Sequence, residues 1–534
     1  MSERIVILGA GVMQGPAIRI ARELGFYAVV LDGDPSAPCA AMADRFERVD
    51  LGDKEGVEAL ARSLRREPGG LGGIMTAGTD FSATVAWVAQ SLGLPGIPYE
   101  TALNASDKGR MRARFGKAGL PSPAFVTIGS GDDVSAIPLP ARFPLVVKPV
   151  DNMGGRGCRR ANCMGELREA AADSLRFSRS GRAIIEAFME GPEFSVDAIV
   201  SRGEIEICGL ADRHVFFPPF FIEMGHTMPT VVSPEDRDAI LETFRAGVRA
   251  LGLAAPGCVG AAKGDIKIAP EGPMIGEIAA RLSGGYMSGW TYPYSSGAQP
   301  IRAAVLLAMG RDPGDLAPSK SWTCAERAFI SIPGTVRAIS GESAARESPF
   351  VTDLFMRARE GGKVGFPENN VSKCGNVISA APDRAAAVES AERAARAILI
   401  RLDPSDAETG EFLRGSGAYS GSFPPCAFEL GEGLLALLGE LPETRLPPAG
   451  CRGSVALALF PEFADSGLRD YVGRSVGESL AAVRELTGLT LPEAGAGSSG
   501  AALGKSFWAA LAKGGYQGAA YHVDRLLAGA GEGD

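Results

Sequence analysis

Histidine is scarce in this chain of 534 residues: only His214, His226 and His522 occur. A histidine-rich metal centre is therefore excluded. Nine cysteines are scattered without CxxC or CxxxC spacing. That argues against a zinc ribbon or a disulfide frame and for small, reduced, buried residues. Basic side chains are outnumbered, with 54 Lys and Arg against 63 Asp and Glu, for a net charge of −9. A nucleic acid is not the expected main partner. Long apolar runs are also missing. Stretches such as Ala303–Met309 fall far short of the roughly 20 residues needed to span a bilayer, so no membrane partner is expected. The chain enters a strand near Arg4 without a basic-then-apolar leader, which predicts no signal peptide and a cytoplasmic location.

A chain this long is expected to divide into three or four domains. Its 70 glycines form no low-complexity run and point to tight turns and phosphate-type loops. Residues 4–9 read as a buried parallel strand, followed by the turn Gly9-Ala10-Gly11, a helix over Pro16–Leu24 and a second strand, Ala28–Leu31, ending at Asp32. This is a βαβ unit, and residues 1–100 form a Rossmann-like, doubly wound α/β domain. An α+β region follows over 101–318, with strands at Ala124–Ile128, Leu145–Lys148, Ala183–Glu186, Glu193–Val200, Glu204–Leu210, Cys258–Ile268 and Pro273–Glu277. Residues 319–403 read as a smaller α+β segment. Residues 404–534 read as an additional, mainly helical region of unknown role, with helices near Gly431–Leu438, Leu468–Thr487 and Ser506–Leu527. The last six residues are expected to fray.

The most informative stretch runs from Gly264 to Gly285. Two adjacent strands each deliver one carboxylate, Asp265 and Glu277, with Arg281 and the small residues Ser283-Gly284-Gly285 just beyond. Paired carboxylates without His or Cys suit Mg²⁺, with Mn²⁺ an alternative. Upstream, Lys148 ends a buried strand and needs a negative partner. Asp151-Asn152-Met153-Gly154-Gly155-Arg156-Gly157 follows at once, a loop whose amides can close over phosphates. Lys108 opens a helix, an unfavourable place for a cation unless an anion joins it.

In order and spacing these motifs resemble the ATP-grasp superfamily over about residues 1–403, and most of all its carboxylate–amine ligase branch, the amino-acid and dipeptide ligases. The resemblance implies a pre-ATP-grasp domain over 1–100 and an ATP-grasp domain over 101–318, with its lid at about 120–190. A C-terminal subdomain over 319–403 completes it. It implies that Lys108 and Lys148 contact ATP phosphates beneath a lid of Gly154, Gly155, Arg156 and Gly157. Backbone at Ala187, Phe188 and Met189 would read the adenine edge, Glu186 would meet its amino group, Glu193 would hold the ribose, and Ile275 would line the nucleotide site. Asp265 and Glu277 become metal ligands, and Arg281 faces the phosphoryl oxygens. Ala279 stands where many relatives carry an asparagine ligand.

The element Glu223-Met224-Gly225-His226 is expected in a loop of the acceptor pocket, with Glu223 on a substrate ammonium and His226 orienting or deprotonating a nucleophile. Ser283, Gly284 and Gly285 form the next wall, leaving room for a ligand and offering amides to a carboxylate. The implied activity is ATP-dependent joining of a small carboxylate to an amine through an acyl phosphate, in a homodimer. Other readings are a bicarbonate- or purine-pathway ligase, a non-catalytic nucleotide-binding protein, and an NAD enzyme with Asp32 on the ribose.

Overall fold

The computed structural model describes residues 2–415, 423–444, 453–493 and 502–529. Of the six final residues expected to fray, Gly529 closes a helix, and 530–534 lie outside the described residues. The chain forms two compact units, Met1–Glu326 with Ala380–Ala387, and Arg327–Ser379 with Val388–Asp534. Among the described residues no helix is long and apolar enough to cross a membrane.

The first unit opens with β1 (Arg4–Leu8), α1 (Gly15–Glu23), β2 (Tyr27–Asp32), β3 (Arg45–Arg48), α2 (Lys54–Arg66), β4 (Leu71–Thr76) and α3 (Ser82–Leu92). The strands form a parallel sheet in the order β3-β2-β1-β4. The near-continuous Ile/Val/Leu content of β1 and β2 follows from their burial between two helical layers. Helices α4 (Tyr99–Ser106) and α5 (Lys108–Lys117) lead onward. Asp107 caps α5 by accepting from the Arg110 amide at 2.9 Å.

A small antiparallel sheet of β5 (Phe125–Gly129), β6 (Leu145–Pro149), β7 (Arg159–Ala161) and β8 (Arg182–Ala187) follows, in the order β5-β8-β6-β7. Helix α6 (Met164–Phe177) covers it, burying Leu167, Ala170 and Ala171 against Leu145, Val147 and Ile185. Next come β9 (Glu193–Ser201), β10 (Glu204–Phe216), β11 (Ile222–Met228), α7 (Pro234–Leu251), β12 (Val259–Ala269) and β13 (Gly272–Ala279). These strands lie in the order β13-β12-β9-β10-β11. Phe115 of α5 and Phe244 and Val248 of α7 pack beneath them on Val196, Ile266 and Ile278. The Glu223–His226 element is thus a strand, β11, where a loop is expected.

In the second unit, Gly334–Ser340 and Leu399–Leu402 pair antiparallel. The last helix, Lys505–Gly529, kinks at Gly515 (φ 61°, ψ −151°). Its Tyr521 shares a core with Val336, Ile398 and Ile400. Its Gln517 donates to Ser331 Oγ at 2.7 Å, and its Tyr516 hydroxyl accepts from the Ile400 amide at 2.9 Å. The late segment therefore completes the core of the 327–403 segment. The helix expected from Leu468 begins only at Val476. Asp470 accepts the Val472 and Arg474 amides, which makes a turn there, and Ser475 with Glu478 forms a capping box.

Candidate active site

The carboxylate pair rests on β12 and β13. Asp265 and Glu277 are direct register partners, with a bulge just after Asp265. Gly276 sits in that bulge. A Cβ there would lie 3.0 Å from the Asp265 carbonyl oxygen, so a larger residue would press on the β12 backbone at Asp265. Asp265 accepts from Ser195 Oγ at 3.1 Å and pairs with Arg213 at 2.9 Å and with Lys263. Burial works to raise its carboxyl, but Arg213 and Lys263 hold it below the ordinary value. Glu277 has Lys108 Nζ at 3.8 Å. Burial opposes its ionisation too, and the ammonium groups of Lys108 and Lys263 outweigh it.

Two ionised, oxygen-only donors facing each other fit Mg²⁺. Among the described residues no group of three or more His, Cys, Asp and Glu could hold a metal. The remaining ligands of an ion here would therefore be phosphate oxygens and water.

Cations ring the pair. Lys108 is buried at the start of α5 and donates to the Asn152 carbonyl at 2.8 Å. Arg281, just past β13, is only 9% exposed. It donates from one terminal nitrogen to the Leu282 carbonyl at 3.1 Å, while its buried Nε–H has no partner. A buried guanidinium donor left unmatched is costly and marks a place for an anion. Lys148 at the end of β6 pairs with Glu186 Oε2 at 2.8 Å. Gly154, Gly155 and Gly157 all take positive φ (69°, 77° and 67°), and Arg156 donates to the Met153 carbonyl at 3.4 Å.

Several groups expected at the nucleotide have partners within the protein. The Glu186 side chain is taken up by two cations. It is buried with one oxygen on Arg112 Nε at 2.7 Å and the other on Lys148. Against its burial, these cations hold its carboxyl down at about 2. Glu186 is thus the counter-charge that aims Lys148. The Ala187 and Phe188 amides are committed to the Ala124 and Pro144 carbonyls, and the Met189 carbonyl accepts from Lys267 at 3.1 Å. Ile275 is buried in the core with Phe115 and Phe244 and does not line the cleft. A cleft of about 240 Å³ is lined by Phe188, Glu193, Arg213, Phe221 and Lys267 among others. Phe188 stacks on Phe221 with ring centroids 6.3 Å apart, and the Arg160 guanidinium lies 4.6 Å from the Phe188 centroid. This is an apolar, cation-edged slot suited to a flat base.

Next to Arg213 lies an acid-rich cluster of side chains. Glu223 binds Arg213 through one oxygen at 2.6 Å and faces His226 Nε2 at 3.4 Å through the other. His226 Nδ1 lies 3.1 Å from Glu326 Oε2. Burial pushes the imidazole toward neutrality, but Glu223 and Glu326 prevail and raise it to about 9. Near neutral pH this favours the imidazolium, the form suited to orienting a substrate by donating hydrogen bonds. Gly285 (φ +60°) abuts this pair, since a Cβ would lie 2.8 Å from Glu223 Oε1. The Ser283 amide and hydroxyl are both given to Asp197. Burial raises that carboxyl to about 6, the hydrogen bonds of Ser283 opposing. Ser283 thus anchors the wall instead of offering its amide to a substrate.

Sequence reasoning missed Lys263, Arg213, Asp197, Glu326 and Asp80. Arg213 joins Glu193, Glu223 and Asp265, a meeting made by strand register that no local motif announces. Asp80 had a legible signal. It lies just past the carboxyl end of β4, where ligands gather in parallel α/β sheets. Asp32, by contrast, spends its oxygens on the Ala10 and Asp34 amides, which gives an NAD ribose no support.

Residues 141–288 match the ATP-grasp domain family, and residues 328–403 match L-amino acid ligase C-terminal domain 2. The two matches place an ATP-grasp domain and an L-amino acid ligase C-terminal domain 2 in this chain. It is 25% identical over 394 residues to uncharacterized protein y4rH of Sinorhizobium fredii, covering 72% of this chain and 80% of that protein. It is 28% identical over 336 residues to carnosine synthase 1 of Gallus gallus, covering 58% of this chain and 35% of that longer protein. The fold resembles the crystal structure of L-amino acid ligase from Bacillus licheniformis (TM-score 0.65, 21% identity, 75% of this chain and 99% of that one).

Proposed function

We propose that this enzyme activates a small carboxylate as an acyl phosphate and joins it to the amine of a second molecule, both of the amino-acid or dipeptide kind, releasing ADP and phosphate. The observation that carries the reading is Arg281, a buried guanidinium whose Nε–H lacks a partner, placed four residues past Glu277. A planar fork of donors suits the oxygens of a phosphoryl group in transfer.

The residues act by position and charge, which is what phosphoryl transfer requires. Lys108 and Lys148 hold the phosphates, with Lys148 aimed by Glu186. Asp265 and Glu277 would hold Mg²⁺, which when bound neutralises phosphate charge. The glycine loop 154–157 covers the site and keeps water from the acyl phosphate. Phe188 and Phe221 hold the base and Glu193 the ribose. Glu223 and the His226 imidazolium set a charged floor that orients the polar ends of an amino acid.

The test is ADP release and product mass with a panel of amino acids, singly and in pairs. Amide product with stoichiometric ADP is expected for some pairs, and Arg281→Met is expected to lower kcat by about 100-fold or more. No ADP release with any pair, or full activity in the variant, would overturn the reading.

A further inference from the structure

Amide formation needs a neutral amine, and amino acids present an ammonium near pH 7. The acids and bases of the site are mostly engaged. His226 is charged between two carboxylates. Glu223 is held by Arg213, Asp265 by Arg213 and Lys263, and Glu277 faces Lys108. Asp80 differs: it makes no hydrogen bond or ion pair with another described residue.

The backbone fixes where Asp80 stands. Gln14 donates to the Ala77 carbonyl, and the Gly78 amide donates to the Leu282 carbonyl at 3.3 Å. Gly78 takes φ +65°, and a Cβ there would lie 2.7 Å from Met13 Cβ and 3.3 Å from Gly284 Cα. Thr79 Oγ1 reaches Met153 Sδ of the glycine loop at 4.0 Å. The turn 77–80 is therefore clamped between the first glycine turn, the wall after Arg281 and the lid loop. The charged groups facing Asp80 are Arg281, Lys108, Glu277 and Arg179, so it looks onto the phosphoryl-transfer centre from the amino-terminal sheet. Burial, with Glu277, keeps its carboxyl above the ordinary value, against the pull of Arg281, Lys108 and Arg179. That makes it a stronger proton acceptor than a solvated carboxylate.

We propose that Asp80 is the proton acceptor for the attacking amine. The inference rests on the acyl-phosphate reading above. In the step, the ammonium gives one proton to the Asp80 carboxylate and the freed nitrogen lone pair attacks the acyl carbon. The C–O bond to phosphate breaks and its electron pair leaves with phosphate. The second nitrogen proton goes to the departing phosphate, leaving amide, hydrogen phosphate and protonated Asp80.

Hydroxylamine separates the two halves of the reaction, because it is largely neutral at pH 7 and traps an acyl phosphate as a hydroxamate without a base. Wild type and Asp80→Asn would be compared with ATP, the carboxylate substrate, and either the amine substrate or hydroxylamine. The expected result is hydroxamate formation within about threefold of wild type and amide formation reduced by about 100-fold or more. The residual amide rate should then climb about tenfold per pH unit toward the pKa of the amine, and Asp80→Glu should recover part of the loss. An unchanged melting temperature and an unchanged shift with ATP would show that the variant folds and binds nucleotide. Equal loss of both products, or loss of neither, would overturn the assignment. A wild-type enzyme that yields neither amide nor hydroxamate would overturn the ligase reading itself, and the assignment with it.

Discussion

His226 Nδ1 stands 3.1 Å from Glu326 Oε2, with both side chains almost wholly buried. The histidine therefore carries a charge that its neighbours stabilise, at about 9 against an ordinary 6.5. For a base raised in the folded state, the added stability is complete below pH 6.5 and disappears as pH climbs through 9. A rise of about 2.5 pH units corresponds to at most about 3–4 kcal/mol. The melting temperature should fall between pH 7 and 10. Glu326→Gln should bring that fall, and the alkaline limb of amino-acid binding, to lower pH. An identical pH profile in the variant would disprove the pairing.

Arg213 ties Glu193, Glu223 and Asp265 together. Arg213→Met leaves three neighbouring, largely but not wholly buried carboxylates short of their shared cation. Breaking such a cluster should cost about 3–5 kcal/mol in urea unfolding and raise the KM for ATP and for the amino-acid substrate together. Arg213→Lys keeps the charge without the fork and should fall between. A change confined to one substrate would show that the hub does not link the two sites.

Glu186 holds Lys148 and Arg112 at once. Glu186→Gln should weaken ATP binding by about tenfold or more through a misaimed Lys148, and should lower stability, because two buried cations lose their counter-charge. If the glutamate instead read the base, the variant would alter preference between adenine and guanine nucleotides. Isothermal titration with both nucleotides decides between these outcomes.

Glu277→Gln removes one of two facing carboxylates. The shift in melting temperature produced by Mg²⁺ together with ATP should shrink, while the shift with ATP in excess chelator should persist. ADP formation should fall by about 100-fold or more. Intact ADP formation would remove Glu277 from the metal site.

Much of this was readable from local pattern. Apolar runs gave β1, β2, β6 and β8, and the spacing from Gly264 to Gly285 placed two acids on paired strands. The spacing could not show that a bulge at Gly276 puts Asp265 and Glu277 in direct register. The His226 element misled because an interleaved Glu-x-Gly-His run looks like a loop, whereas the long partner β10 draws it into the sheet. The charge on His226 depends on Glu326, 100 residues away, and no window of sequence holds both. The Glu186 and Ile275 side chains turn inward for a related reason. Sequence shows which residue types stand near a hinge, while burial decides which ones face the core.

The closing helix carries a consequence for biosynthesis. Val336 and Ile400 find their packing partner Tyr521 only after more than a hundred further residues have been made. At ordinary translation speeds the 327–403 segment waits on the order of ten seconds with apolar surface uncovered. A chain truncated short of Gln517 would leave that surface uncovered for chaperones to hold.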